Sequence, residues 1–120
     1  MGLSKKRRDK DFCVFESMRW GYRAAYMTIR SYMKKHNKYT IREIIARWAP
    51  PSENDTESYI KTVARLSLMP ADERLDFNNM TQMLMLVSAM TVVECGSNYN
   101  PQDNPEYWKA MYDGYIDVRG

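Results

Sequence analysis

The sequence predicts an all-α fold with four main helices and a short C-terminal helix. Apolar residues recur at steps of three and four in most of the segments that must be buried. Hydrophobic residues make up 44% and aromatic residues 12% of the 120 positions, which is enough to build a core. Strand-like alternation is convincing nowhere except at residues 12–15, where we expect a short extended segment anchored by Phe12 and Phe15.

A polar turn separates the first two predicted helices. The first runs from about Ser17 to Lys35, with its apolar residues on one stripe. The second runs from Ile41 to about Trp48. Thr40 and Glu43 have the spacing of a capping box at its start, and Pro50 follows its end.

The third helix is expected after the polar segment 52–55, with either Asn54 or Asp55 as its N-cap. The fourth runs from about Met80 to Glu94, capped by Asn78 or Asn79. It contains the uncharged run MLMLVSAMTVV, which is typical of a central buried helix. This run is well short of the roughly 20 residues needed to span a bilayer, so no membrane insertion is predicted.

The C-terminal part, residues 97–120, opens with a turn-rich stretch and ends in an aromatic, amphipathic segment. Pro105 suits the first position of a short helix with Asn104 as its N-cap. We therefore divide the chain into a basic N-terminal segment (1–11), a helical core (12–96) and an aromatic tail (97–120).

Charge is unevenly distributed along the chain. Residues 1–47 carry thirteen Lys or Arg and four Asp or Glu, whereas residues 48–120 carry five and eleven. The basic run SKKRRDK (4–10) raises the hypothesis of a nucleic-acid binder. That hypothesis is the least favoured, because no recognition-helix motif accompanies the run and the isoelectric point is only 8.9.

Cysteine and histidine do not form a metal-ligand pattern. Cys13 and Cys95 are the two cysteines, and the sequence leaves open whether they pair. His36 is the single histidine, and a solvated cation at a helix C-terminus explains it better than a catalytic base does. No Gly-rich phosphate loop is present, so neither a metal nor a nucleotide cofactor is predicted.

Two segments could carry chemistry. In FCVFESMRWGYRA (12–24), Glu16 lies between aromatic residues, whose shielding can raise a carboxyl pKa enough for general-acid catalysis. In RWAPPSENDTESYI (47–60), a loop can present Glu53 and Asn54 to a cleft. From spacing alone, simpler explanations are favoured: Glu16 as a surface acid near a helix N-terminus, and the second segment as a capped helix start with Trp48 in the core.

Together the two segments resemble a known family. The patterns F-x-x-F-E-S-x-x-x-G-Y-R-A (12–24) and W-A-P-x-x-E-N-D-T-x-x-Y (48–59) are similar to those of lysozyme-like proteins of phages and phage-derived bacterial genes. Members of this family are often labelled virion structural protein or peptidoglycan transglycosylase. The resemblance covers roughly residues 10–95.

This resemblance implies a small lysozyme-like helical domain that acts on the glycan strand of peptidoglycan. It makes Glu16 and Glu53 the candidate catalytic acids, with Glu16 marginally preferred, and gives substrate-binding roles to Trp48, Asn54 and Tyr59. It implies no cofactor. The implied partners are peptidoglycan and other virion or cell-envelope proteins, and the absence of a signal-peptide pattern is compatible with delivery in a phage particle.

The N-terminal region departs from the family pattern. Family members carry an upstream Asn-rich segment with an Asn-Pro-Gly-Asn core, whereas this sequence begins with MGLSKKRRDKDF. This pattern indicates either a shortened member of the family or a gene start that was assigned too far downstream, and in both cases we expect a cleft that lacks one contribution. The alternative to a glycan-cleaving enzyme is a non-catalytic structural or interaction module.

Overall fold

The computed structural model describes residues 18–52 and 54–119. Within these ranges the chain forms α-helices and a 3-10 turn and contains no strand, which confirms the all-α prediction. The basic segment 1–11 and the extended segment expected at residues 12–15 lie outside the described residues. The helices are α1 (Met18–His36), α2 (Ile41–Trp48), α3 (Thr56–Ser67), α4 (Met80–Cys95) and α5 (Pro105–Arg119), with the 3-10 turn at Ser97–Tyr99.

Helix starts follow the capping residues of the sequence. The Thr40 hydroxyl accepts from the Glu43 amide at 3.1 Å, and the Glu43 side chain accepts from the Thr40 amide, so the predicted capping box is confirmed. Asp55 is the side-chain cap of α3, accepting from the Ser58 amide at 3.2 Å. Of the two asparagines considered for α4, Asn79 is the cap.

Helices α1 and α5 pack closely because Gly114 has no side chain. A Cβ atom built on Gly114 would lie 3.0 Å from the Tyr22 Cβ and 3.1 Å from the Arg23 amide nitrogen. The Arg30 guanidinium also donates to the Val118 carbonyl at 2.7 Å. The last helix, expected to be short, is 15 residues long because its buried stripe continues from Tyr107 to Val118.

Helix α4 is buried along most of its length and packs against α3 and α5, as its uncharged sequence predicts. Its one buried hydroxyl contact to α1 joins Thr91 to the Tyr22 hydroxyl at 2.8 Å. Tyr115 of α5 donates its hydroxyl to the Phe77 carbonyl at 2.7 Å. These hydrogen bonds satisfy polar groups that would otherwise destabilise the aromatic core.

Among the residues described, no helix has both the length and the apolar character that crossing a bilayer requires.

Candidate functional site

Three helices bring Trp48, Tyr59 and Glu94 together. The Trp48 indole nitrogen donates to Oε2 of Glu94 at 3.0 Å, and the Tyr59 hydroxyl donates to the same oxygen at 2.6 Å. Trp48 is 4% exposed and Tyr59 is 6% exposed, while Glu94 is partly exposed. Because the acceptor is a carboxylate, both bonds are stronger than bonds between neutral groups. We call these three residues the Glu94 cluster.

The loop between α2 and α3 is folded by its own polar side chains. The Asn54 side-chain amide donates to the Pro50 carbonyl at 3.1 Å. The buried Thr56 hydroxyl donates to the Ala49 carbonyl at 2.6 Å. With Asp55 capping α3, the described members of the E-N-D-T sequence all have roles in holding this loop, which connects Trp48 to Tyr59.

A groove lies beside this loop, between the C-terminal end of α1 and the exposed face of α2. Its volume is about 710 Å³. Pro50 belongs both to the loop and to the groove wall, so the groove adjoins the segment that connects Trp48 to Tyr59. We call it the α1–α2 groove; its lining residues are Tyr32, Lys38, Arg42, Glu43, Ala46, Arg47 and Pro50.

The end of α1 places Lys38 in the groove wall. Asn37 adopts the left-handed conformation, with φ of 58°. This lets the Asn37 amide bond to the Met33 carbonyl at 3.1 Å and the Lys38 amide to the Tyr32 carbonyl at 3.0 Å. The bond from Asn37 to Met33 is that of an αL C-cap motif, which ends the helix and reverses the chain toward α2.

The groove is positively charged at one end. The Arg47 guanidinium lies over the Tyr32 ring, 5.5 Å from its centroid, and its Nη2 lies 3.3 Å from His36 Nε2. Cations stack favourably on an aromatic face. This contact holds Arg47 along the groove. His36 is the last residue of α1, and the sequence predicted a solvated cation at this helix end.

The other end of the groove contains Arg42 and Glu43, and its net charge is closer to neutral. Arg42 pairs with Asp72 at 2.9 Å and with Glu57 at 3.4 Å, and the hydrogen bond that Arg42 donates to Asp72 is the main cause of its raised pKa. The Glu43 carboxylate accepts from the amides of Tyr39 and Thr40 in the capping box. Both charges are therefore already engaged within the protein.

The predicted site residues separate into two groups. Trp48, Asn54 and Tyr59 all lie in or beside the α2–α3 loop, so the structure brings together the residues assigned to substrate binding. The indole nitrogen of Trp48 and the hydroxyl of Tyr59 face Glu94. The candidate acids Glu16 and Glu53 lie outside the described residues, and their catalytic roles stay predictions.

Sequence reasoning placed Glu94 only as the end of the fourth helix. One signal could have identified it, since Glu94 is the single charged residue in the otherwise uncharged sequence of α4. A lone charge on a buried helix needs polar partners, because burying it unpaired is costly. Trp48 and Tyr59 provide those partners.

The next residue, Cys95, is disulfide-bonded, and the other cysteine of the sequence, Cys13, lies outside the described residues. Within the described part of the chain, no three His, Cys, Asp or Glu side chains are grouped so that they could hold a metal ion.

Comparison with known proteins finds one significant similarity. The chain is 40% identical over 90 residues to "Protein P5" of Pseudoalteromonas phage PM2. The matched region covers 75% of this chain and 54% of the phage protein, so the chain spans about half the length of the relative that it matches. No protein-family model matches the chain.

Proposed function

We propose that this chain is a lysozyme-like helical domain that binds the glycan strand of peptidoglycan. The observation that carries this proposal is the convergence of Trp48, Asn54 and Tyr59 around one loop, beside an open groove. The family resemblance implies substrate-binding roles for the same three residues. Similarity to a phage protein agrees with a phage-derived origin.

The loop between α2 and α3, together with the buried side chains of Trp48 and Tyr59 behind it, gives the adjoining groove wall a defined shape. Trp48 and Tyr59 are fixed by bonds to one carboxylate, and Asn54 fixes Pro50 at the groove wall. A ligand that binds a rigid wall loses less free energy in ordering it. The groove walls also offer the charged groups of Lys38 and Arg47, which can donate hydrogen bonds to sugar hydroxyls.

Cleavage would use a carboxylic acid from the two candidates. Glu16 or Glu53 would protonate the glycosidic oxygen as the bond to C1 breaks. In the transglycosylase form of the reaction, the resulting carboxylate accepts the proton of the sugar's own 6-hydroxyl, whose oxygen then bonds to C1. In the hydrolytic form, water takes the place of that hydroxyl.

A non-catalytic binding module is the second candidate, and it is favoured by a specific observation. Among the described residues, the carboxylate at the groove, Glu43, is held in the capping box, and Glu94 accepts two hydrogen bonds. Neither is placed as a free acid facing a ligand. Catalysis therefore depends on Glu16 or Glu53, whereas binding does not.

Two assays on the full chain separate these functions. Pelleting with purified insoluble peptidoglycan measures binding, and a clearing zymogram on the same material measures cleavage. We expect the chain to pellet with peptidoglycan. If the chain is an enzyme, we expect the variant Glu16→Gln or the variant Glu53→Gln to lose clearing while retaining binding.

Glu73→Gln is the matched control, because Glu73 is an exposed acid outside the groove and the Glu94 cluster. Binding without clearing would identify a binding module. Failure to pellet at low ionic strength would contradict the proposal in both forms.

A further inference from the structure

The wall of the α1–α2 groove contains two cations, Lys38 and Arg47, for which the described residues provide no carboxylate partner. Among the residues that the structure describes, neither Lys38 nor Arg47 has an acidic group within ion-pair distance, whereas Arg42 on the same wall has two. Within the described part of the chain, Arg47 lies over the Tyr32 ring and beside His36. A pair of unneutralised cations in a concave surface concentrates the local positive potential and attracts an anion.

The groove holds these cations in defined positions before any ligand binds. The Tyr32 ring under Arg47 is 9% exposed and belongs to the core, so packing holds the surface on which the guanidinium stacks. The αL C-cap motif at Asn37 and the bond from the Lys38 amide to the Tyr32 carbonyl fix the backbone of Lys38. Stacking leaves the guanidinium N–H groups at the edge available as donors, and their fork geometry matches a carboxylate.

The surroundings favour a small carboxylate ligand over a long polyanion. A volume of about 710 Å³ is typical of a site for a small molecule or a short peptide. The exposed acids Glu57 and Asp72 pair with Arg42, at the end of the groove that is closer to neutral. A continuous phosphate backbone crossing the groove would approach these acids, whereas a single carboxylate at Arg47 and Lys38 would not.

We propose that the α1–α2 groove binds the carboxylates of the peptide stems of peptidoglycan, with Arg47 and Lys38 as the residues that contact them. This inference rests on the proposed function and makes it more specific. The preferred substrate is a glycan strand that still carries its peptides. The groove binds the peptide, and the adjoining loop faces the sugar chain.

The test compares binding to two preparations of peptidoglycan. One is intact, and in the other the free carboxylates have been converted to amides with ammonia and a carbodiimide. The double variant Lys38→Gln/Arg47→Gln is compared with Lys61→Gln/Arg65→Gln, which removes the same charge from exposed positions of α3. Circular dichroism and the unfolding midpoint confirm that both variants are folded.

For intact peptidoglycan, we expect the groove variant to bind about fivefold more weakly, since it loses two charge contacts that are open to solvent. The α3 variant should stay within about twofold of the unmodified chain. For amidated peptidoglycan, the groove variant and the unmodified chain should bind equally. A synthetic stem peptide with free carboxylates should compete for intact peptidoglycan, and its fully amidated form should not.

Equal binding of the groove and α3 variants to intact peptidoglycan would overturn this inference, as would equal losses on both preparations. The proposed function fails separately, if the unmodified chain binds neither preparation. A gel shift with duplex DNA that is lost in the groove variant, without peptidoglycan binding, would replace the peptide with nucleic acid as the ligand.

Discussion

The Glu94 cluster makes the stability of the chain depend on one carboxylate. Replacing Glu94 with Ala removes the acceptor of the Trp48 indole N–H and of the Tyr59 hydroxyl. A hydrogen bond to a charged group contributes about 1.5–3 kcal/mol. Because Glu94 is partly exposed, and because Trp48 and Tyr59 make further contacts, we expect a combined loss of about 2–4 kcal/mol of unfolding free energy.

The assay is equilibrium unfolding in urea, followed by circular dichroism and tryptophan fluorescence. Glu94→Gln keeps an acceptor oxygen but loses the charge, so we expect it to cost about half as much as Glu94→Ala. Tyr59→Phe removes one donor. The double variant Glu94→Gln/Tyr59→Phe should therefore be less destabilised than the sum of its parts, by about 1 kcal/mol.

Glu73→Ala is the control, since Glu73 is an exposed acid whose loss should change stability by less than about 0.5 kcal/mol. The reasoning is refuted if Glu94→Ala matches this control. It is also refuted if the effects of Glu94→Gln and Tyr59→Phe are additive, because the two side chains would then not interact.

Three further predictions concern the fold. Gly114→Ala should destabilise the chain by about 1–2 kcal/mol in urea unfolding, because crowding against Tyr22 outweighs the gain in helix propensity; unchanged stability would contradict the close approach. Thr40→Ala should cost about 1 kcal/mol by breaking the capping box with Glu43, and Thr40→Ser should restore most of it. Burial raises the pKa of Tyr22 and of Tyr26 above the ordinary 10.0. Above pH 10 these tyrosines therefore ionise in the unfolded chain before they ionise in the folded chain, so the free energy of unfolding should fall as the pH rises past 10. Phenolate absorbance in the folded chain checks this last prediction, and full ionisation of all tyrosines near pH 10 without unfolding would contradict it.

The local rules of helix formation predicted most of the fold. The capping box at Thr40 identified the start of α2, and the uncharged run in α4 identified the central helix, because both depend on neighbouring residues alone. The length of α5 was underestimated. Its continuation to Arg119 depends on packing against α1 at Gly114, which is distant in sequence.

The candidate site was predictable only in part. Trp48, Asn54 and Tyr59 were found because they lie within twelve residues of each other, in one motif. Glu94 is distant in sequence from that motif, and only the packing of α4 against α3 brings its carboxylate to Tyr59. The α1–α2 groove likewise results from the chain reversal at Asn37, which the composition of the turn did not indicate.

Pelleting of the full, unmodified chain with purified peptidoglycan at low ionic strength tests the proposed peptidoglycan binding most directly. We expect saturable binding that weakens as salt is added, since Arg47 is exposed and Lys38 is partly exposed, so that ions screen both charges. A chain that stays entirely in the supernatant, while its circular dichroism shows a folded helical protein, would contradict the claim.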